Sequence, residues 1–175
     1  PVPRLDDKTP LAVANKPNMD RAAAEGLLGL TCHVPHRMPA GSSVAIMSLA
    51  GYDPVANYTG RAPLEAADLG LEMGPHDWAV RCNLITAADG NLADSNAGHI
   101  STEEATVLID LLNEELGSDE VSFHVGTGYR HILLYRGETA LNCEANPPHD
   151  YVGEPIRELL PRGPGSAVLT ELMRQ

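Results

Sequence analysis

The residues best suited to chemistry in this chain are one serine, three arginines and a scattered set of histidines. Ser42 stands in Pro39 to Pro54, PAGSSVAIMSLAGYDP. A glycine, two serines and a small apolar run, Val44 to Ala50, read as a tight turn feeding a helix that begins on a serine. Gly41 is expected to take a backbone angle that other residues resist. A hydroxyl at a helix N-terminus lies among unpaired N–H groups and near the positive end of the helix dipole. That place suits a nucleophile that takes up a phosphoryl group. On geometry alone a plain N-cap, for which serine is a favoured residue, is the commoner outcome.

Arg61, Arg81 and Arg130 are the candidate anion holders, because a guanidinium offers a planar fork to phosphate or carboxylate. Arg81 interrupts an apolar strand-like run and Arg130 follows a glycine turn. Buried there, each needs a negative partner, which is either a ligand or an internal acid. Among seven histidines, His33-x-x-His36 is the closest pair and lacks two further ligands at zinc-like spacing. His99, His131 and His149-Asp150 each sit beside a turn. Such groups hold a carboxylate or move a proton near neutral pH. The plainer role for His99 and His131 is a structural hydrogen bond.

The elements that must position these residues follow from pattern and punctuation. Residues 1–17 read as loop. Asn18 caps a short helix over Met19 to Glu25, and Leu27 to Val34 has the apolar, β-branched character of a strand. The serine helix follows, then a short helix over Leu64 to Leu69. Gly74-Pro75 marks a domain boundary. Beyond it, Trp78 to Thr86 reads as a strand and Ala88-Asp89-Gly90 as a turn into Asn91 to Asp94. Ser101-x-x-Glu104 is a capping box. Ala105, Leu108, Ile109, Leu112 and Leu116 then recur at one-face helical spacing up to Gly117. Val121 to Val125 and Tyr129 to Tyr135 predict strands around Gly126-Thr127-Gly128, with a third strand over Thr139 to Glu144. Glu154 to Leu160 and Gly165 to Arg174 predict helices. One long helix among antiparallel strands is the pattern of a compact α+β domain.

Composition narrows the partners. The chain has 175 residues, 43% of them apolar and 4% aromatic. Its net charge of −12 disfavours nucleic acid and anionic membranes. No apolar run approaches the ~18 residues of a membrane span. Cys32, Cys82 and Cys143 are odd in number and far apart, which argues against a disulfide framework and fits a reducing cytoplasm.

A wider pattern joins these pieces. PNMDRAAAEG (17–26), the serine stretch, YTGRAPLEAADLG (58–70), RCNLIT (81–86), AGHISTEEA (97–105), YRH (129–131) and PPHD (147–150) together resemble the archaeal-type 2,3-bisphosphoglycerate-independent phosphoglycerate mutases of the alkaline phosphatase superfamily. The resemblance implies an α/β fold: part of a phosphatase-like core over 1–75, an inserted α+β substrate domain over 76–160, and a helix over 161–175 returning towards the core. It implies interconversion of 3-phosphoglycerate and 2-phosphoglycerate through a phosphoserine at Ser42. Substrate binding falls to Arg61, Arg81, His99, Arg130, His131, His149 and Asp150. Arg81, Arg130 and His99 are expected on one concave surface. The family uses two divalent metal ions (manganese, magnesium or zinc); Ser42 is the one ligand this chain offers, and the others lie in segments outside it. Two features depart from the pattern. Ser43 stands where an acidic residue is usual, and Ile46 where an asparagine is usual. The family also begins with an Asp-Gly strand and ends with Asp/His segments, so the chain resembles an internal piece of a longer enzyme.

Three other readings share the same residues. One is metal-dependent phosphoryl transfer on another small metabolite, as in homoserine kinase-like or phosphonate chemistry. Another is a non-catalytic small-anion-binding module. The third, a Ser-His-Asp hydrolase, lacks the GxSxG elbow.

Overall fold

The computed structural model describes residues 1–175 and divides into two compact units, Pro1–Tyr58 and Thr59–Gln175. The boundary therefore precedes the Gly74-Pro75 break. The helix expected over Leu64 to Leu69 forms as Arg61–Asp68 and packs on the sheet of the second unit.

The first unit holds four α-helices, α1 (Pro10–Val13), α2 (Pro17–Glu25), α3 (Ser42–Leu49) and α4 (Pro54–Asn57), after a short 3-10 turn over Pro3–Leu5. α2 begins two residues earlier than the Asn18 cap implies. Pro17 takes the first helical position, where its missing N–H costs nothing. α3 ends in paired backbone bonds, Gly51 N–H to the Ser48 carbonyl (3.0 Å) and Tyr52 N–H to the Met47 carbonyl (3.1 Å). Gly51 takes φ 87, the left-handed residue that such an end requires.

The strand expected over Leu27 to Val34 does not form. Leu27 and Leu30 are 104% exposed and Leu28 80%. A strand is stabilised by a neighbour that takes up its N–H and carbonyl groups, and nothing in 1–175 pairs with this segment. In hydrogen–deuterium exchange on the chain, the amides of Leu27 to Val34 are expected to exchange first, and those of His131 to Tyr135 last. Comparable protection of the two segments would contradict this assignment of exposed backbone.

The second unit is built on a three-stranded antiparallel sheet of β1 (Trp78–Asn83), β4 (Val121–Thr127) and β5 (Arg130–Tyr135), in the order β1-β5-β4. A separate hairpin, β2 (Thr86–Ala88) and β3 (Asn91–Asp94), turns at Asp89 (φ 51) and Gly90 (φ 77), the Asp-Gly pair that a two-residue turn favours. Strand alternation sorts the three-stranded sheet into two faces. Tyr135, Leu133, Phe123 and Val121 meet Ile109 of α6 (Thr102–Leu116), and Leu141 and Leu169 close that core. On the other face, Ile132 and Leu134 meet Ala62 and Ala66 of α5 (Arg61–Asp68). β5 is thus covered on both sides.

α6 carries the capping box read from the sequence. Ser101 Oγ accepts from the Glu104 N–H (3.2 Å) and a Glu104 carboxylate oxygen accepts from the Ser101 N–H (3.1 Å). These bonds hold the Glu104 carboxyl below its usual range. Asn113, further along α6, seals the outer edge of β4. Its side-chain amide donates to the Phe123 carbonyl (2.7 Å) and accepts from the Phe123 N–H (2.8 Å).

Thr139 to Glu144 does not join the sheet. Leu141 and Cys143 pack into the core on the α6 side, which carries their backbone away from the strand edges. Glu144 pairs instead with Arg162 (2.8 and 2.9 Å). The last two helices are shorter than expected: α7 (Ile156–Leu159) and α8 (Ser166–Leu172). No helix is long and apolar enough to cross a membrane.

Candidate functional site

Ser42 is the first residue of α3 and is exposed, with no hydrogen-bond partner for its hydroxyl. Gly41 precedes it at φ −136, ψ 155, ordinary extended backbone, so the left-handed angle expected there is not used. What the glycine contributes is the lack of a side chain. No cap covers the helix end, and Ala45 is the first N–H to find a carbonyl, that of Gly41 (3.2 Å). The N–H groups of Ser42 and Ser43 find no carbonyl at this helix start, an arrangement that favours phosphate, while Val44 behind them is fully buried. Ser43 differs: its hydroxyl donates to the Tyr58 hydroxyl at 3.2 Å. The two serines are therefore separated by geometry. No histidine bonds Ser42, so the general base of a hydrolase triad is missing from its side.

In the second unit, Arg130 opens β5 after a two-residue turn. Gly128 holds φ 56 there, and Gly126 lies against the Arg130 carbonyl so closely that a Cβ would meet it at 2.2 Å. The Arg130 guanidinium lies over the Tyr129 ring, 4.9 Å from its centroid, and donates to the Tyr129 hydroxyl at 2.9 Å. No carboxylate pairs with it. Arg81 faces the same side of the sheet. It is paired in register with Ile132, two residues from the Asn83↔Arg130 pair, so the two arginines are diagonal neighbours. Arg81 has an internal partner, however: its Nε donates to a Glu65 carboxylate oxygen of α5 at 3.0 Å. The internal salt bridge weighed for these arginines is thus present at Arg81 and absent at Arg130.

His131 points the opposite way. Successive residues of a strand face opposite sides, so Arg130 and His131 do not share a site. His131 is 1% exposed on the α6 face, and its Nδ1 accepts from the Gly126 N–H at 3.2 Å. Burial pushes its pKa down and favours the neutral ring. Its Nδ1 is thus engaged inside the domain, and its Nε2 is buried with no hydrogen-bond partner.

His99 follows β3 in a left-handed loop, Ala97, Gly98 and His99 having φ 52, 68 and 59. The Asp94 carboxylate organises that loop by accepting from the Asn96 N–H (3.0 Å) and the Gly98 N–H (2.8 Å), and these bonds lower its pKa. Three residues on, Thr102 Oγ1 accepts from the Gly128 N–H at 3.0 Å. The His99 loop and the Arg130 turn are therefore neighbours at one end of the sheet. The expected single surface is only partly realised: the groove that His99 lines with Ile100, Glu104 and Leu108 includes neither arginine.

Arg61 is exposed at the start of α5. The first turn there, with Thr59 and Pro63, borders Asp77, Trp78 and Ala79, the far end of β1 from Arg130. His149 and Asp150 stand on an exposed turn, 3.7 Å apart. The residues just after them pair with the β2–β3 hairpin through Gly153 to Leu92 (2.8 Å) and Ile156 to Gly90 (3.0 Å). None of these three residues bonds Arg81 or Arg130, whose partners are Glu65 and Tyr129.

Nowhere do three or more His, Cys, Asp or Glu side chains converge as a metal would require.

Tyr129, Thr102 and Asn83 belong to this sheet end; each lies in a stretch that carries the resemblance, but no role is read for it from the sequence. Their placement depends on strand register and on the docking of a turn against α6.

The family profile described as 2,3-bisphosphoglycerate-independent phosphoglycerate mutase matches residues 23–175. A relative of that name from Methanosarcina barkeri is 46% identical over 175 residues, covering 100% of this chain and 44% of the relative. One from Methanothermobacter thermautotrophicus is 51% identical over 163 residues, covering 93% and 40%. The chain thus spans less than half the length of these relatives. Among solved structures, the cofactor-independent phosphoglycerate mutase from Thermoplasma acidophilum superposes with a TM-score of 0.57 at 27% identity, over 99% of this chain and 47% of that one.

Proposed function

Because the chain belongs to the 2,3-bisphosphoglycerate-independent phosphoglycerate mutase family, we propose that it carries the phosphoryl-accepting serine and the substrate-holding domain of an enzyme interconverting 3-phosphoglycerate and 2-phosphoglycerate. The observation that carries this reading is the free Ser42 hydroxyl at the uncapped start of α3. The Ser42 oxygen forms a bond to phosphorus while the bond from phosphorus to the C3 oxygen breaks. The serine proton leaves to a base and the glycerate oxygen takes one up. In the second half, the C2 hydroxyl gives its proton to a base, its oxygen bonds phosphorus while the bond from phosphorus to the Ser42 oxygen breaks, and Ser42 takes a proton back. The unpaired N–H groups of Ser42 and Ser43, with the helix dipole behind them, stabilise the negative phosphoserine.

Arg130, without an internal acid, is the arginine we assign to the substrate's negative groups. Arg81 stands beside it and is oriented by Glu65. Water must be held off during the exchange, since hydrolysis of the phosphoserine would release free glycerate and phosphate.

The test is a replacement. Residues 1–175 substitute for the matching stretch of the Methanosarcina barkeri relative, and conversion of 3-phosphoglycerate is followed. Retained conversion through a phosphorylated Ser42 is expected. A folded chimera that neither turns over nor takes up phosphate at Ser42 would sink the proposal.

A further inference from the structure

At the end of the three-stranded sheet, three polar residues stand in one cross-strand row. Asn83 of β1 is directly opposite Arg130 of β5, and Arg130 is directly opposite Thr127 of β4. The row lies beyond the residues that α5 covers, which are Ala79, Ile132 and Leu134. Arg130 is exposed and meets no carboxylate in the chain, only the Tyr129 hydroxyl and ring, so its charge is open to a ligand. The Asn83 Oδ1 is buried and accepts no hydrogen bond. Buried side-chain acceptors are almost always satisfied, and an orphan calls for an account. Asn83 belongs to β1 through its backbone, and its side chain makes no hydrogen bond in the chain.

From this juxtaposition we infer that Asn83 is a specificity-determining residue: its Oδ1 accepts a hydrogen bond from a hydroxyl of the small anionic ligand whose charge Arg130 holds. The inference rests on the substrate reading above and names the group that reads the hydroxyl. An arginine alone takes any carboxylate or phosphate. A buried acceptor beside it discriminates, because a ligand lacking the hydroxyl leaves Oδ1 unpaired while one bearing it restores the bond. Keeping a polar group unsatisfied in the free protein is the kind of stability cost that binding sites carry.

The experiment titrates the 175-residue chain with 3-phosphoglycerate and with 3-(phosphonooxy)propanoate, the same molecule without its hydroxyl, and repeats both on Asn83→Val and Arg130→Ala. The wild-type chain is expected to bind the deoxy compound about 10-fold more weakly, the scale of one neutral hydrogen bond. Asn83→Val is expected to bring the two affinities together, and Arg130→Ala to weaken both. Thermal unfolding supplies the second readout. Removing an orphan acceptor should leave the midpoint of Asn83→Val unchanged or higher, whereas a fall would mark a structural role and overturn the inference. If Arg130→Ala weakens both ligands while Asn83→Val still discriminates, the assignment of Asn83 fails and the substrate reading stands. If Arg130→Ala changes neither affinity, or neither compound binds the chain, both fail.

Discussion

Replacing Ser42 by alanine in the chimera with the Methanosarcina barkeri relative is expected to abolish phosphoenzyme and to cut turnover at least about a thousand-fold, the scale on which nucleophile loss acts. The expectation comes from position. Ser42 is exposed at the first residue of α3, with an unengaged hydroxyl and open N–H groups around it. No other hydroxyl in the first unit has both. Ser43→Ala is the matched control. Its hydroxyl is committed to Tyr58 at 3.2 Å, a single neutral hydrogen bond of about 1 kcal/mol, so a loss of only a few-fold is expected. The readout is the mass of the intact protein after mixing with 3-phosphoglycerate, which registers one added phosphoryl group. An adduct that persists in Ser42→Ala and vanishes in Ser43→Ala would exchange the roles of the two serines.

Arg130→Ala is expected to weaken binding of 3-phosphoglycerate by roughly 10- to 100-fold, because hydrogen bonds to a charged group are each worth about 1.5–3 kcal/mol. Arg81→Ala is expected to weaken it less. Arg81 is already paired with Glu65, both side chains being only partly buried at 23% and 35% exposure, and a ligand must share or displace that partner. Arg130→Lys should recover part of the affinity and none of the planar, two-bond fit. Calorimetric titration of the 175-residue chain ranks the three variants. A larger loss at Arg81 than at Arg130 would show that the Glu65 pair opens for the ligand and that the free arginine is not its anchor.

The two arginines also show where reading residues one at a time reaches its limit. In the sequence they have the same standing: each lies in or beside a strand, and each needs a negative partner. Glu65 is 16 positions from Arg81 and becomes its partner only because α5 packs against β1. Arg130 and His131, adjacent in the chain, are separated by the sheet itself.

What the sequence determined by itself was local. Ser101 and Glu104 cap α6 through groups three residues apart. Asp89-Gly90 turns the β2–β3 hairpin, and Gly51 ends α3 in the left-handed conformation that its lack of Cβ allows. Ser42 falls at the start of a helix for the same reason: the signals that begin a helix sit within one turn of it. Only the tertiary structure decided which strands exist and which way side chains face. Leu27 to Val34 has strand composition and no strand neighbour within 1–175. Thr139 to Glu144 has the same character, but its apolar side chains enter the core and draw its backbone off the sheet. A strand is completed by hydrogen bonds to residues far along the chain, so its composition states a preference and its neighbours settle the outcome. The row of Asn83, Arg130 and Thr127 arises in the same way, from a register of three strands that no single segment contains.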